Sequence, residues 1–88
     1  MTNAIEVVAT GAVFTIPADI AGIVLVGGSD AASAILCDGA AGTDPAKIKA
    51  TAAANITTPV LFSKSVKFKT AVYCTLTGTS AKVYVYYN

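Results

Sequence analysis

Residues 70–88 constrain the fold more tightly than any other stretch of the chain. They read T-A-V-Y-C-T-L-T, then G-T, then S-A-K-V-Y-V-Y-Y-N. Apolar and polar side chains alternate through both arms, the period of a strand with one buried face. Gly78-Thr79 lies between them, and a Gly followed by any residue is the signature of a type II′ turn, since Gly takes the positive φ there without steric cost. Closed at that turn, the arms pair Leu76 with Ala81, Cys74 with Val83 and Val72 with Val85 on one apolar face. The reverse face sets Tyr73 opposite Tyr84, Thr75 opposite Lys82 and Ala71 opposite Tyr86.

The earlier chain reads as a series of short strands. Residues 5–9 and 12–16 are β runs separated by Thr10-Gly11, and Pro17-Ala18-Asp19 ends the second. Residues 22–28 are apolar on both faces, as in a central strand covered on each side. Gly28-Ser29-Asp30 is a turn, residues 31–37 form the next strand, and Asp38-Gly39 opens a Gly- and Ala-rich loop to Pro45. From Ala46 to Thr51 the alternation is clean, with Lys47 and Lys49 on the wet face. Helix competes with strand from Ala46 to Asn55, because Pro45 suits a first helical turn and the stretch is rich in Ala. Its charges form no helical stripe, which favours strand. Residues 56–59 are a connection, residues 60–62 a short strand, Ser63-Lys64-Ser65 a turn, and Val66 to Lys69 another strand.

Length and composition narrow the class. Eighty-eight residues make one domain, 1–88, and a chain of that size gains stability from association. Charged residues are 12% of the chain against about 25% in an ordinary globular protein. A surface so poor in charge is covered by something or rich in Thr, Ser and Ala. The mean hydropathy is +0.67, yet no apolar run approaches the roughly 20 residues of a spanning helix. The start, Met1-Thr2-Asn3-Ala4, has no basic residue ahead of an apolar block, so no secretory leader is expected.

The chemistry-bearing residues are few. With no His, a nucleophile has no imidazole base, and no motif marks a lysine with a depressed pKa, so an enzyme is not expected. Asp30, Asp38 and Asp44 match no calcium loop and read as turn residues, and neither a metal nor a cofactor is expected. Cys37 and Cys74 fit no zinc or CxxC spacing. They are two buried thiols or one disulfide between strands. Lys64, Lys67, Lys69 and Lys82 lie near tyrosines, but the net charge is only +1 and Arg is absent, which weighs against nucleic acid. If Val72, Cys74, Val83 and Val85 face the core, Tyr73, Tyr84 and Tyr86 point outward together. Tyr73, Tyr84, Tyr86 and Lys82 are therefore the candidate interface. The alternative is a cross-strand Tyr pair that stiffens a hairpin by about 0.5–1 kcal/mol.

Two stretches resemble a type of small phage and prophage virion protein. The first is Gly28-Ser29 to Ser33, then Ile35 to Gly39 with its loop to Thr43. The second is the closing L-T-G-T-S-A-K-V-Y-V-Y-Y from Leu76 to Tyr87. Cys37 departs from the pattern, which favours a large residue before D-G, and so does the Ala-rich piece at residues 50–55. The resemblance implies a β-sandwich built into a particle, often as a trimer, and brings no catalytic residues. The expectation is thus an all-β chain, a small antiparallel β-sandwich that is jelly-roll-like or a partly open barrel. It has seven or eight short strands and ends in a hairpin from Thr70 to Tyr87. The implied role is a capsid decoration or cement subunit, held in the virion against the major capsid protein or other virion proteins, as a homo-oligomer outside any membrane. A tail, neck or fibre component is the alternative, followed by a carbohydrate- or receptor-binding module.

Overall fold

Period-two alternation becomes eight strands in the computed structural model, which describes residues 3–88. Met1 and Thr2, part of the stretch read as leaderless, lie outside the described residues. The strands are β1 (Asn3–Val7), β2 (Gly11–Phe14), β3 (Ala18–Val26), β4 (Ala32–Asp38), β5 (Ala46–Ala52), β6 (Thr57–Phe68), β7 (Val72–Thr77) and β8 (Lys82–Tyr87). They form two four-stranded antiparallel sheets, one ordered β1-β8-β3-β6 and the other β2-β7-β4-β5. No helix occurs among the described residues.

One long ribbon explains that order. Strands β1, β2, β3 and β4 run out, and β5, β6, β7 and β8 run back beside them. The rungs are therefore β4–β5, β3–β6, β2–β7 and β1–β8. Rolling the ribbon adds the pairs β3–β8 and β4–β7. That is the jelly-roll form of the sandwich, the first of the two architectures expected.

The expected closing hairpin is absent, because β7 and β8 belong to different sheets and do not pair. Their apolar rows, Val72 and Cys74 on one arm and Val83 and Val85 on the other, are all fully buried. They reach the same core from opposite layers, so alternation is satisfied either way. The connection is an arch in which Gly78 (φ 115°) and Ser80 (φ 59°) are both left-handed. Thr79 is held from outside the arch: Asp30 Oδ1 accepts its N–H at 2.6 Å and Oδ2 its hydroxyl at 3.1 Å. The hairpin of this chain is instead β4–β5, closed where the Asp38 N–H donates to the Pro45 carbonyl at 2.9 Å.

Several boundaries also move. Ala46 to Asn55 is strand as far as Ala52, with Ile48, Ala50 and Ala52 buried and Lys47, Lys49 and Thr51 exposed. Residues 57–59, the Ser63-Lys64-Ser65 turn and the flanking pieces as far as Phe68 merge into the single β6, with Ile56 and Lys69 outside it. The turn survives as a wide bulge: Gly22 pairs with Leu61 but Ile20 with Val66, so four residues of β6 stand against Ala21. Asp19, expected in a turn, lies in β3 opposite Lys67.

The core is lopsided in side-chain size. The β2-β7-β4-β5 sheet contributes small residues, Ala32, Ala34, Ala50 and Ala52, beside Leu36, Ile48, Val72 and Cys74. The other sheet contributes Ile20, Ile23, Leu25, Phe68, Val83 and Val85. Small against large lets two layers close to the roughly 10 Å spacing of packed sheets. Phe14 and Tyr87, one from each sheet, meet edge to face with centroids 4.8 Å apart.

Asp38 ties the end of β4 to the β6–β7 turn. Its carboxylate accepts the N–H of Lys69 at 3.0 Å and of Thr70 at 2.9 Å, with Lys47 Nζ at 3.8 Å. The Thr70 bond first, then that from Lys69, holds its pKa below the ordinary 3.8. A depressed carboxyl stabilises the fold above its unfolded pKa, and that contribution is lost as pH falls through the folded value. Asp38→Asn is therefore expected to lower the urea midpoint at neutral pH. The gap to the parent should narrow below about pH 4. A gap that stays constant into strong acid would show that ionisation of Asp38 plays no part.

Candidate functional site

The outer face of the β1-β8-β3-β6 sheet is the feature that side-chain chemistry singles out. Reading across its strands, one row is Ala4, Tyr86, Gly22 and Leu61, and the next is Glu6, Tyr84, Val24 and Pro59. A third runs Lys82, Val26, Thr57. The centre is thus aromatic and aliphatic, and Leu61 at 69% exposure is the most exposed large apolar side chain among the described residues. Gly22 leaves a gap in its row, into which Leu61 leans: a Cβ there would stand 2.7 Å from Leu61 Cδ2. Beside the β6 bulge lies a trough of about 400 Å³ lined by Ala21, Val24, Leu61, Phe62 and Tyr86. An outward apolar surface of this kind is characteristic of a contact face. The expectation that residues 22–28 are covered on both faces is met on the inner face only, because Val24 and Val26 stay partly exposed.

Charge is confined to the margin of this face. Glu6 and Lys82 stand toward one side, Asp19 faces Lys67 in register at the far end of β3, and exposed Lys64 lies in the bulge of the edge strand β6. Tyr84 shares a side-chain hydrogen bond with Glu6, and that bond, then the carboxylate's charge, raises the phenol's pKa. Glu6 reaches Tyr84 from β1, 78 positions away in the chain.

The four candidate interface residues do not converge. Tyr84, Tyr86 and Lys82 share the outer face of one sheet, but Tyr73 lies on the outer face of the other. There the β4–β5 loop folds over it: a Cβ on Gly42 would stand 3.4 Å from its ring and 3.0 Å from Thr75 Oγ1. The cause is the β7–β8 arch, which sends the two arms to opposite layers. That second face is polar, with a hydroxyl bond between Ser33 and Thr77 and exposed Lys47, Lys49 and Thr51. Lys82 also stands apart from the other lysines, in the Val26 row, whereas Lys67 lies opposite Asp19, about 23 Å away along β3, with Lys64 and Lys69 near it at the end of β6.

Cys37 and Cys74 are both free and buried. They lie on adjacent strands but on opposite faces of the sheet, Cys74 in the core and Cys37 beneath the loop, where its thiol meets the Gly42 carbonyl at 3.7 Å. Successive strand residues point to opposite sides, and so the disulfide alternative fails. Burial, and secondarily Cys37, pushes the Cys74 thiol from 9.0 up to about 11. A thiol reagent near neutral pH is expected to label neither cysteine in the native protein and both of the 2 after denaturation. Rapid native labelling would contradict this burial.

Asp30 and Asp38 act across the chain rather than within their own turns, whereas Asp44 accepts the Ala41 N–H at 3.0 Å. Asp30 and Asp38 mark opposite ends of β4, and among the described residues no group of three His, Cys, Asp or Glu could hold a metal ion. No family model, curated protein or solved structure matches the chain.

Proposed function

We propose that this chain is a structural subunit of a phage particle, a decoration or cement protein that stiffens the head through protein–protein contacts. The observation that carries the reading is the contrast between its two outer faces. One presents Tyr84, Tyr86, Val24, Pro59 and Leu61 with charge only at the margin, and the other sets Ser33, Thr51, Thr75, Thr77, Lys47 and Lys49 around a half-buried Ile35, with Tyr73 under the β4–β5 loop. A slab with one apolar broad face is suited to being pressed against a neighbour. The jelly roll supports the reading only as analogy, since that architecture serves viral capsid proteins, lectins and cupins alike. Its neighbours are the major capsid protein and further copies of itself, and its place is the virion. A tail, neck or fibre position would use the same face.

The test is to add the purified chain to assembled heads that lack it. Co-sedimentation, and heads that survive a higher temperature with the chain bound, are expected. Heads that neither bind it nor change in stability would overturn the reading. A second reading, glycan binding, draws on the Tyr84–Glu6 pair beside Tyr86, an aromatic surface with a polar acceptor. A glycan array decides between them.

A further inference from the structure

We propose that β1 is a docking edge for β1 of a second copy, the two strands pairing antiparallel about a two-fold axis at Ile5 so that two four-stranded sheets join into one. The sandwich has four edge strands, β1, β2, β5 and β6, and three of them are guarded. A bulge bends an edge away from a passing strand, and Lys or Pro on it discourages pairing. β2 has four residues, and its register shifts at Val13. β5 carries Lys47 and Lys49, with a shift at Lys47. β6 carries Pro59, Lys64, Lys67 and the wide bulge, and Lys47 Nζ donates to its Lys67 carbonyl at 3.0 Å.

None of these devices protects β1. Its register against β8 is unbroken from Asn3 to Val7, and no strand, loop or side chain hydrogen-bonds its outer side among the described residues. Its one charge, Glu6, shares a hydrogen bond with Tyr84 on β8, which holds the carboxylate over the sheet rather than beyond the edge. A bare, regular edge is a template for one more strand.

Self-complementarity selects a second copy as that strand. With both cores on one side of the joined sheet, opposite residues must share a face, so the axis passes at a residue and not between two. Centred on Glu6, it would set two carboxylates face to face. Centred on Ala4, it leaves Glu6 and Val7 without partners in β1. Centred on Ile5, it uses the whole strand: Ile5 meets Ile5, Ala4 meets Glu6, and Asn3 meets Val7. The half-buried Ile5 and Val7 gain cover on the inner face, and each Glu6 meets only an Ala4 methyl on the outer. Five residues bury less than the roughly 800 Å² per partner of a standard interface, so association is expected to track concentration.

The broad outer face stays free, and the pairing does not depend on the role in a particle. A dimer that binds no head leaves it standing, and a monomer that binds heads removes it alone. In light scattering over a concentration series reaching millimolar, the parent mass is expected to rise from 8.8 kDa toward twice that value. Ala4 is exposed, so its variants read the register without disturbing the core. Ala4→Glu sets two like-charge pairs with Glu6 across the axis and should weaken the dimer by about tenfold, whereas Ala4→Lys sets two opposite-charge pairs and should tighten it. Under mild oxidation Ile5→Cys should give a covalent dimer on a non-reducing gel, because the axis brings the two new thiols together. Ala4→Cys, off the axis, should cross-link far more slowly, and the native Cys37 and Cys74 are buried. A parent that stays at 8.8 kDa overturns the proposal, as does three times that mass. Equal shifts for Ala4→Glu and Ala4→Lys overturn it too, and so does an Ile5→Cys variant that cross-links no faster than Ala4→Cys.

Discussion

Replacing Gly28 with alanine is expected to cost about 4 kcal/mol of stability. Gly28 follows the end of β3, where three connections meet. The Gly27 N–H donates to the Ile56 carbonyl at 2.8 Å, the Gly28 carbonyl accepts the Asn55 N–H at 2.9 Å, and the Ser29 N–H donates to the Thr79 carbonyl at 3.1 Å. A Cβ on Gly28 would collide with the Thr79 carbonyl oxygen and stand 2.7 Å from the Ser80 carbonyl carbon. Both obstacles are backbone, so no rotamer change relieves them. The arch must retreat, breaking the Ser29–Thr79 bond and loosening Thr79 from Asp30. Overpacking costs about 1–3 kcal/mol and each lost hydrogen bond about 1 kcal/mol, for a total near 4 kcal/mol. A domain of this length holds only about 4–13 kcal/mol. The melting temperature should fall by about 15–25 °C. Gly11→Ala is the control, since a Cβ there meets nothing within 4 Å, and its change should stay within about 0.5 kcal/mol. Equal melting temperatures for the two variants would sink the argument that backbone approach makes Gly28 necessary.

Truncating Phe68 to alanine is the second large effect. It is the biggest of the fully buried side chains, 1% exposed, and stands at the end of β6 opposite Ala18. The next residues are the Lys69–Thr70 turn that Asp38 grips, so the backbone around the vacated space is pinned and collapses little. A Phe-to-Ala deletion in such a site costs about 3–5 kcal/mol, whereas Phe68→Leu should cost below about 1.5 kcal/mol. Denaturant titrations should show a lower midpoint with an unchanged slope. A loss under about 1 kcal/mol for the alanine variant would mean that the site is not packed as described.

How much of this was legible beforehand differs from element to element. Residues 46–51 and both closing arms carry their alternation plainly, and each is a strand with the anticipated face inward, except that Ala46 at the start of β5 is exposed where the register shifts. The partner of each strand was not legible. Alternation states which side chains seek the core, and Val72, Cys74, Val83 and Val85 reach it equally well from one sheet or from two. Gly78 was rightly read as a turn glycine, but positive φ serves an arch as well as a type II′ turn. The clamps that choose the arch, Asp30 on Thr79 and Ser29 on the Thr79 carbonyl, come from some fifty positions earlier in the chain. The same gap explains the tyrosines: Tyr84 and Tyr86 share a face because they share a strand, and Tyr73 was grouped with them only through a hairpin that does not form. Glu6 as partner of Tyr84, and Gly22 as the gap beside Leu61, had no local signal, for each depends on the register of a neighbouring strand.

By itself, then, the sequence determined an all-β chain with a generous supply of inward-facing residues, two thiols without a metal pattern, and a surface short of charge. Those are properties of local period and composition, which every strand carries with it. The tertiary structure decided that the strands form a rolled ribbon, that the cysteines sit on opposite sides of one sheet, and that Tyr84, Tyr86, Val24 and Leu61 share one broad face. Strand pairing is a long-range choice made by backbone groups and a handful of clamping side chains, and residue alternation is blind to it.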